Sequence, residues 1–365
     1  MKTQVRMRIN GMMIYIALLL LAGLLSACQK SNDSFSLMSE QSTFKQSTEI
    51  VPRKIDILWV VDNSGSMENS QANIANNFRS FIQKFQQKNY DFQIGVTTTD
   101  AYTAYYTNDN NLSKLRSGAK VSESPTVFSN SGVTIINRNT PNIEATFLTN
   151  IKQGIYGNGD ERAFMSMQHT LQNPLNAAFK RPGSYLAIII VSDEEDFSHN
   201  DLSGYYPSEN YNDPKMYPVQ NYVNFLDALT ESTSTVRNYS VSSIYIPDSA
   251  CLTQLQAGFA KKISTRYPKL SELTGGVKAS LCGNFADSLQ LISDTVLDLA
   301  SVFPLTREPL PETILVTVNG SVIPQSATNG WTYDAVTNSI SFRGAAVPPA
   351  DANISITFDP KTIKQ

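Results

Sequence analysis

Ile55-Asp56-Ile57-Leu58-Trp59-Val60-Val61-Asp62-Asn63-Ser64-Gly65-Ser66-Met67 is the stretch whose reading decides the fold. It opens as a nearly continuous apolar run of strand length, rich in branched side chains. Such a run predicts a central strand buried on both faces. It then breaks into Asp-Asn-Ser-Gly-Ser, a polar turn with a glycine where the backbone bends sharply. Beyond it, Ile74, Phe78, Phe81, Ile82 and Phe85 recur at three- and four-residue steps and share one helical face. Strand, oxygen-rich turn and helix together place a loop at the carboxyl end of a sheet strand, where ligands are presented. Asp62, Ser64 and Ser66 supply one carboxylate and two hydroxyls there, hard donors suited to magnesium, manganese or calcium. The same residues also read as a helix start with Ser66 as N-cap.

Working outward, Phe92 to Thr97 reads as a second strand, ending in Thr98-Thr99-Asp100. Gly157-Asn158-Gly159-Asp160-Glu161 opens a helix that carries Phe164, Met167, Leu171, Leu175 and Phe179 on one face. Its Gly-x-Gly lacks the third glycine and the preceding strand of a nucleotide fingerprint. Tyr185 to Val191 is a second fully apolar strand, and it stops at Ser192-Asp193-Glu194-Glu195-Asp196. Tyr222 to Leu229 reads as a helix and Val241 to Ile246 as a strand. Phe285, Leu289, Ile292, Val296 and Leu299 mark a closing amphipathic helix. The alternation predicts an α/β domain over residues 50–303, with a doubly wound, mostly parallel sheet flanked by helices. Asp62 and Asp193 then both leave carboxyl ends of buried strands, whereas Glu194 and Asp196 read as a solvated loop. Two long insertions, 101–142 and 197–222, are rich in Tyr, Ser and Asn, a composition shared by binding loops and by loop filler.

Asp62-Asn63-Ser64-Gly65-Ser66 fits the D-x-S-x-S motif of the von Willebrand factor A family, and the chain resembles that family over most of its length. The resemblance implies a Rossmann-like fold and a metal-ion-dependent adhesion site formed by Asp62, Ser64, Ser66 and Asp193. It further implies a divalent cation, magnesium before manganese or calcium, and metal-dependent binding of a protein or other macromolecule rather than catalysis. The family's helix-opening loop supplies a threonine to the metal; the nearest register here offers Glu161, with Asp160 beside it. Glu161 reads either as an extra carboxylate ligand or as a first-turn residue favoured by the helix dipole and paired with Arg162.

The flanks carry other signals. Lys2, Arg6 and Arg8 precede the apolar run Met12 to Leu25, the profile of a secretory leader over residues 1–27. Leu25-Ser26-Ala27-Cys28 looks like a bacterial lipobox, which would make Cys28 the lipidated first residue of an envelope lipoprotein, with Gln29 favouring the outer membrane. Residues 28–49 are polar and read as a flexible tether. With Cys28 lipidated, Cys251 and Cys282 are the cysteines left to form a disulfide in an oxidising compartment. After Pro304, Pro309 and Pro311, short alternating segments and Asn319-Gly320 predict a small all-β module, sandwich-like, over 304–365. Net charge is −3 with 29 basic and 32 acidic residues, which gives no basic stripe for nucleic acid. Two histidines, His169 and His199, leave little for a zinc site or histidine catalysis.

Overall fold

The computed structural model describes residues 46–50 as backbone alone, and then 54–200, 213–233, 236–255 and 261–362. The leader, Cys28 and the tether up to residue 45 lie outside the described residues, as does much of the second insertion. Among the described residues no helix is long and apolar enough to cross a membrane.

Strand β1 (Gln46–Ile50) comes first, followed by β2 (Ile55–Val61), helix α1 (Glu68–Gln87) and β3 (Phe92–Thr98). The first insertion contains the short helix α2 (Thr103–Thr107), the hairpin β4 (Lys120–Glu123) and β5 (Thr126–Phe128), and the edge strand β6 (Ile135–Asn137). Then come α3 (Ile143–Ile151), α4 (Ala163–Gln172), β7 (Tyr185–Val191), α5 (Val219–Leu229), β8 (Tyr239–Tyr245), α6 (Ser249–Gln254), α7 (Arg266–Thr274), β9 (Lys278–Ser280) and α8 (Phe285–Ala300). The central sheet has the order β6-β3-β2-β7-β8-β9, parallel throughout except for the antiparallel edge strand β6. Every residue of β2, β7 and β8 is buried, as expected of strands covered on both faces.

Alternation along β2 sorts the core into two layers. Ile55, Ile57, Trp59 and Val61 pack with Phe78, Phe81 and Phe85 of α1, Phe147 of α3 and Leu289, Ile292 and Val296 of α8. Leu58 and Val60 face Phe164 and Met167 of α4, Val223 and Leu226 of α5 and Leu270 of α7. Helices therefore cover both faces, and the sheet is doubly wound. Trp59 anchors the first layer, edge-on to Phe81 and Phe147 with ring centroids 5.5 and 5.4 Å away.

Asp56 interrupts the apolar run of β2 without opening it to water. Its Oδ1 accepts from Arg181 Nε at 2.7 Å, and its Oδ2 accepts from the Arg181 backbone N–H at 2.7 Å and from Ser184 Oγ at 2.5 Å. Burial raises its pKa, and these bonds work against that rise.

The C-terminal strands are β10 (Val302–Pro304), β11 (Leu315–Val318), β12 (Ser321–Val322), β13 (Trp331–Asp334), β14 (Ser339–Phe342) and β15 (Ile354–Phe358). They form antiparallel sheets of order β1-β15-β11-β12 and β10-β14-β13. Two boundaries differ from the sequence reading. Gln46–Ile50, expected to be mostly tether, pairs with Ile354–Phe358 over its whole length, so the β-module is built from both flanks of the α/β domain. The cut at 303/304 also falls inside one core, because Phe303, Leu305, Val316, Ile340 and Ile356 belong to the same apolar cluster as Trp59. The helix expected to reach Phe179 stops at Gln172, because Pro174 has no N–H and restricts the residue before it. Leu175 is consequently exposed, while Phe179 is buried from a separate turn. Cys251 and Cys282 form the expected disulfide, with Cα atoms 5.6 Å apart.

Candidate metal centre

Strands β2 and β7 run parallel as neighbours, with Val61 opposite Val191. Their chains leave the sheet side by side at the carboxyl edge, which brings Asp62 next to Ser192 and Asp193. The loop after β2 folds back on itself: Asp62 Oδ1 accepts from the Ser64 backbone N–H at 2.8 Å. A single turn of tighter helix, Gly65–Met67, then leads into α1. Gln71, one turn into α1, pins the loop by donating to the Asp62 carbonyl at 2.8 Å and the Gly154 carbonyl at 3.0 Å. Ser66 therefore lies within the turn and does not cap α1, whose N-cap position is Met67.

The four donors form one continuous set. Ser66 Oγ donates to Asp193 Oδ1 at 2.9 Å, and the Ser64 and Ser66 hydroxyls are 3.1 Å apart. Asp62 Oδ2 accepts from Ser192 Oγ at 2.6 Å. Asp62 and Asp193 are 0% and 1% exposed. Burial first, and then the Asp193 charge, push the Asp62 carboxyl up to about 7. Burial likewise raises Asp193, with the Ser66 hydroxyl and the Lys261 ammonium opposing it.

Glu161 stands near Asp62, and the first-turn reading of it does not hold. It precedes α4, which begins at Ala163, so it is not a first-turn residue. Arg162 does not pair with it. Arg162 donates through Nε to Asp160 Oδ2 at 3.0 Å and lies over the Tyr102 ring at 4.5 Å, so Asp160 is engaged as well. Glu161 is 1% exposed, and neither carboxylate oxygen has a hydrogen-bond partner. Burial and then the Asp62 charge drive its pKa well up. The Thr99 hydroxyl, also buried and unpartnered, is near enough to offset part of that rise but lies outside hydrogen-bond geometry. Among the described residues no three His, Cys, Asp or Glu side chains converge to hold one ion by themselves. Glu161 thus lies near Asp62 and Glu194 with both carboxylate oxygens unpartnered.

The acidic run after β7 is not a solvated loop. Glu194 is 6% exposed, and burial followed by the charges of Asp62 and Asp193 raises it to about 9. Glu195 accepts from Thr265 N at 2.6 Å and from Ser264 Oγ at 2.8 Å, capping the start of α7. Asp196 accepts from Arg266 Nη2 at 3.0 Å and from the Phe164 backbone N–H at 2.9 Å. Runs of acids usually signal solvent, and the sequence held no pointer to the arginine that buries this one. Thr99, Ser192, Glu194 and Lys261 were the residues missed; Thr98-Thr99-Asp100 at a strand end was the one available hint. Next to the motif loop, a cleft of about 540 Å³ is lined by Asn63, Asp100, Arg116, Lys120, Phe128 and Tyr156, half of them from the first insertion.

The donor set fits a hard divalent cation. Its ligands are oxygens, two of them carboxylates, and the serine hydroxyls complete what the carboxylates do not. The orphaned buried Glu161 is a further polar group that this pocket does not satisfy.

No protein-family profile matches the chain, and no curated protein matches it. Among solved structures it is similar to proximal thread matrix protein 1 from the mussel byssus, with 12% identity over 72% of this chain and 52% of that one, at a TM-score of 0.38. A second structure of that protein is described as having a zinc-occupied MIDAS motif. The pilus adhesin SpaC from Lactobacillus rhamnosus GG gives 11% identity over 86% of this chain and 42% of that chain, at a TM-score of 0.38. The pilus adhesin RrgA from Streptococcus pneumoniae gives 10% identity over 86% of this chain and 57% of that chain, at a TM-score of 0.33. The chain spans about half the length of the first of these.

Proposed function

We propose that this protein is an envelope lipoprotein whose von Willebrand factor A-like domain binds a macromolecular partner through a divalent cation at Asp62, Ser64, Ser66 and Asp193. One observation carries the reading. Two buried carboxylates and two serine hydroxyls from adjacent parallel strand ends meet in one hydrogen-bonded set, with the Lys261 ammonium 3.9 Å from Asp193 and, among the described residues, no guanidinium paired with them. Buried acids without such compensation are costly, and they mark functional sites. When bound there, magnesium would offer positions at which its waters exchange for an oxygen of the partner. The chain's own residues do the rest: Gln71 fixes the loop, Ser192 orients Asp62 and Ser66 orients Asp193. The cleft walled by Arg116, Lys120, Phe128 and Tyr156 lies beside the site and supplies surface for the partner.

Calorimetric titration of the full chain tests the cation. Magnesium or manganese should bind with chelator-sensitive heat, and Asp62→Ala should abolish that heat while leaving the circular dichroism unchanged. Equal affinity in the variant would remove the assignment. Glu161→Thr then asks whether the adjacent carboxylate joins the ion: metal affinity should fall and affinity for a carboxylate-bearing partner should rise. Chelator-sensitive capture of a protein from envelope extract supports the binder, whereas turnover of a substrate would replace it with an enzyme. Anchoring rests on Cys28, and Cys28→Ala should abolish fatty-acid labelling.

A further inference from the structure

The Asp193 carboxylate has two unlike neighbours. Its Oδ1 accepts from Ser66 Oγ at 2.9 Å, whereas its Oδ2 faces the Lys261 ammonium at 3.9 Å. That lysine is not a surface side chain that happens to be near. It is 16% exposed, and its Nζ donates to the Leu255 carbonyl at 2.7 Å. Leu255 is the C-cap of α6, where unpaired carbonyls favour a cation. Helix α6 is itself held near its start: Asp248 caps it by accepting from the Cys251 N–H at 2.9 Å, and Cys251 is bonded to Cys282. Next in the chain, the Lys262 N–H donates to the Asp193 carbonyl at 2.9 Å, which keeps the lysine pair in register with the strand end. The disulfide-held segment therefore delivers a positive charge to the mouth of an acidic pocket that also contains Asp62, Glu161 and Glu194.

We propose that Lys261 is a built-in counter-charge that competes with a divalent cation for Asp193 and so sets the cation concentration at which the site fills. The inference rests on the metal reading above. In a pocket of low exposure, an ammonium within 4 Å of a carboxylate neutralises part of the charge that would otherwise attract the ion, and it repels the ion directly. Without a cation the same ammonium relieves repulsion among the buried acids.

The test is calorimetric titration of the full chain with magnesium chloride and with manganese chloride, alongside Lys261→Met, Lys261→Gln and Lys261→Arg. Lys261→Met and Lys261→Gln should each tighten cation binding about tenfold, while Lys261→Arg should stay within about twofold of the parent. Two neutral variants keep the test readable if one of them fails to fold, as judged by circular dichroism. Unchanged or weakened affinity in a folded neutral variant overturns the role of Lys261. Absence of cation binding in the parent and in every variant overturns the metal reading itself.

Discussion

At the amino end of β2, Asp56 is fully buried and accepts from a guanidinium, a backbone N–H and a serine hydroxyl. Just past the carboxyl end, Asp62 is equally buried, yet it accepts from one backbone N–H and one serine hydroxyl and shares its pocket with Asp193, Glu161 and Glu194. The first site is closed by Arg181, which also holds Asp91 at 2.6 Å. The second has an ammonium at 3.9 Å from its edge. Both are buried acids at the two ends of one strand, and what separates them is the charge that the rest of the chain brings to each. A buried acid that loses its cation partner is costly, whereas one whose partners leave its pKa raised is the kind of group on which the proposed ligand site rests.

The largest effect should come from breaking the closed site. Arg181→Met leaves Asp56 buried without its cation and should cost about 3–5 kcal/mol, read from the urea midpoint. A loss under about 1 kcal/mol would mean that Asp56 is not held as an ion. The open site should respond to cation instead. Magnesium at about a hundred times its dissociation constant should stabilise the parent by about 2.7 kcal/mol and leave Asp62→Asn unaffected. Equal stabilisation of both would place the ion elsewhere.

With chelator present, the open site should also give the fold a pH dependence. Asp62, held at about 7, and Glu194, held at about 9, bind protons more tightly in the folded chain than the ordinary values of 3.8 and 4.5 allow. Below those ordinary values both states are protonated and nothing is lost. As pH rises above them, the unfolded chain releases its protons while the folded chain keeps them. Stability therefore falls until about pH 7 for Asp62 and about pH 9 for Glu194, and levels off beyond. The Asp62 share of that fall should be on the order of 2 kcal/mol between about pH 5 and 7. Urea midpoints across that range should fall less steeply in Asp62→Asn, and a flat parent profile would contradict the assignment. The smallest effects separate the two serines. Ser184→Ala removes a hydrogen bond to an ionised Asp56 and should cost about 1.5 kcal/mol. Ser192→Ala should cost less at neutral pH in chelator, because a carboxyl held at about 7 is half-protonated and accepts more weakly. Equal losses in chemical denaturation would erase the distinction.

The outline of the fold was legible because it depends on local pattern. The apolar runs at 55–61 and 185–191 are long enough that only burial on both faces accommodates them, and both became central strands. Asp62-Asn63-Ser64-Gly65-Ser66 was readable as a turn at a strand's carboxyl end and Asp193 as an acid at the end of the second run, and the fold brings them together. Cys251 and Cys282 were paired by the removal of Cys28 from the count, and the bond is present. The misread elements depended on partners far along the chain. Gln46–Ile50 is polar enough to pass for tether, and it is a strand because Ile354–Phe358 offers it a complete ladder. Glu194 and Asp196 looked solvated because nothing nearby in sequence buries them.

What the sequence determined by itself was therefore the alternation of the main strands and helices, the two-sided burial of the sheet and the carboxylates at its strand ends, since periodicity and turn chemistry act over a few residues. Tertiary structure alone decided which of those acids is compensated. Arg181 closes Asp56, Arg266 closes Asp196, Arg162 takes Asp160, and Glu161 is left with no hydrogen-bond partner. The physical reason is that the cost of a buried charge is set by whatever cation the fold carries to within a few ångströms of it, and that distance is not written in sequence separation.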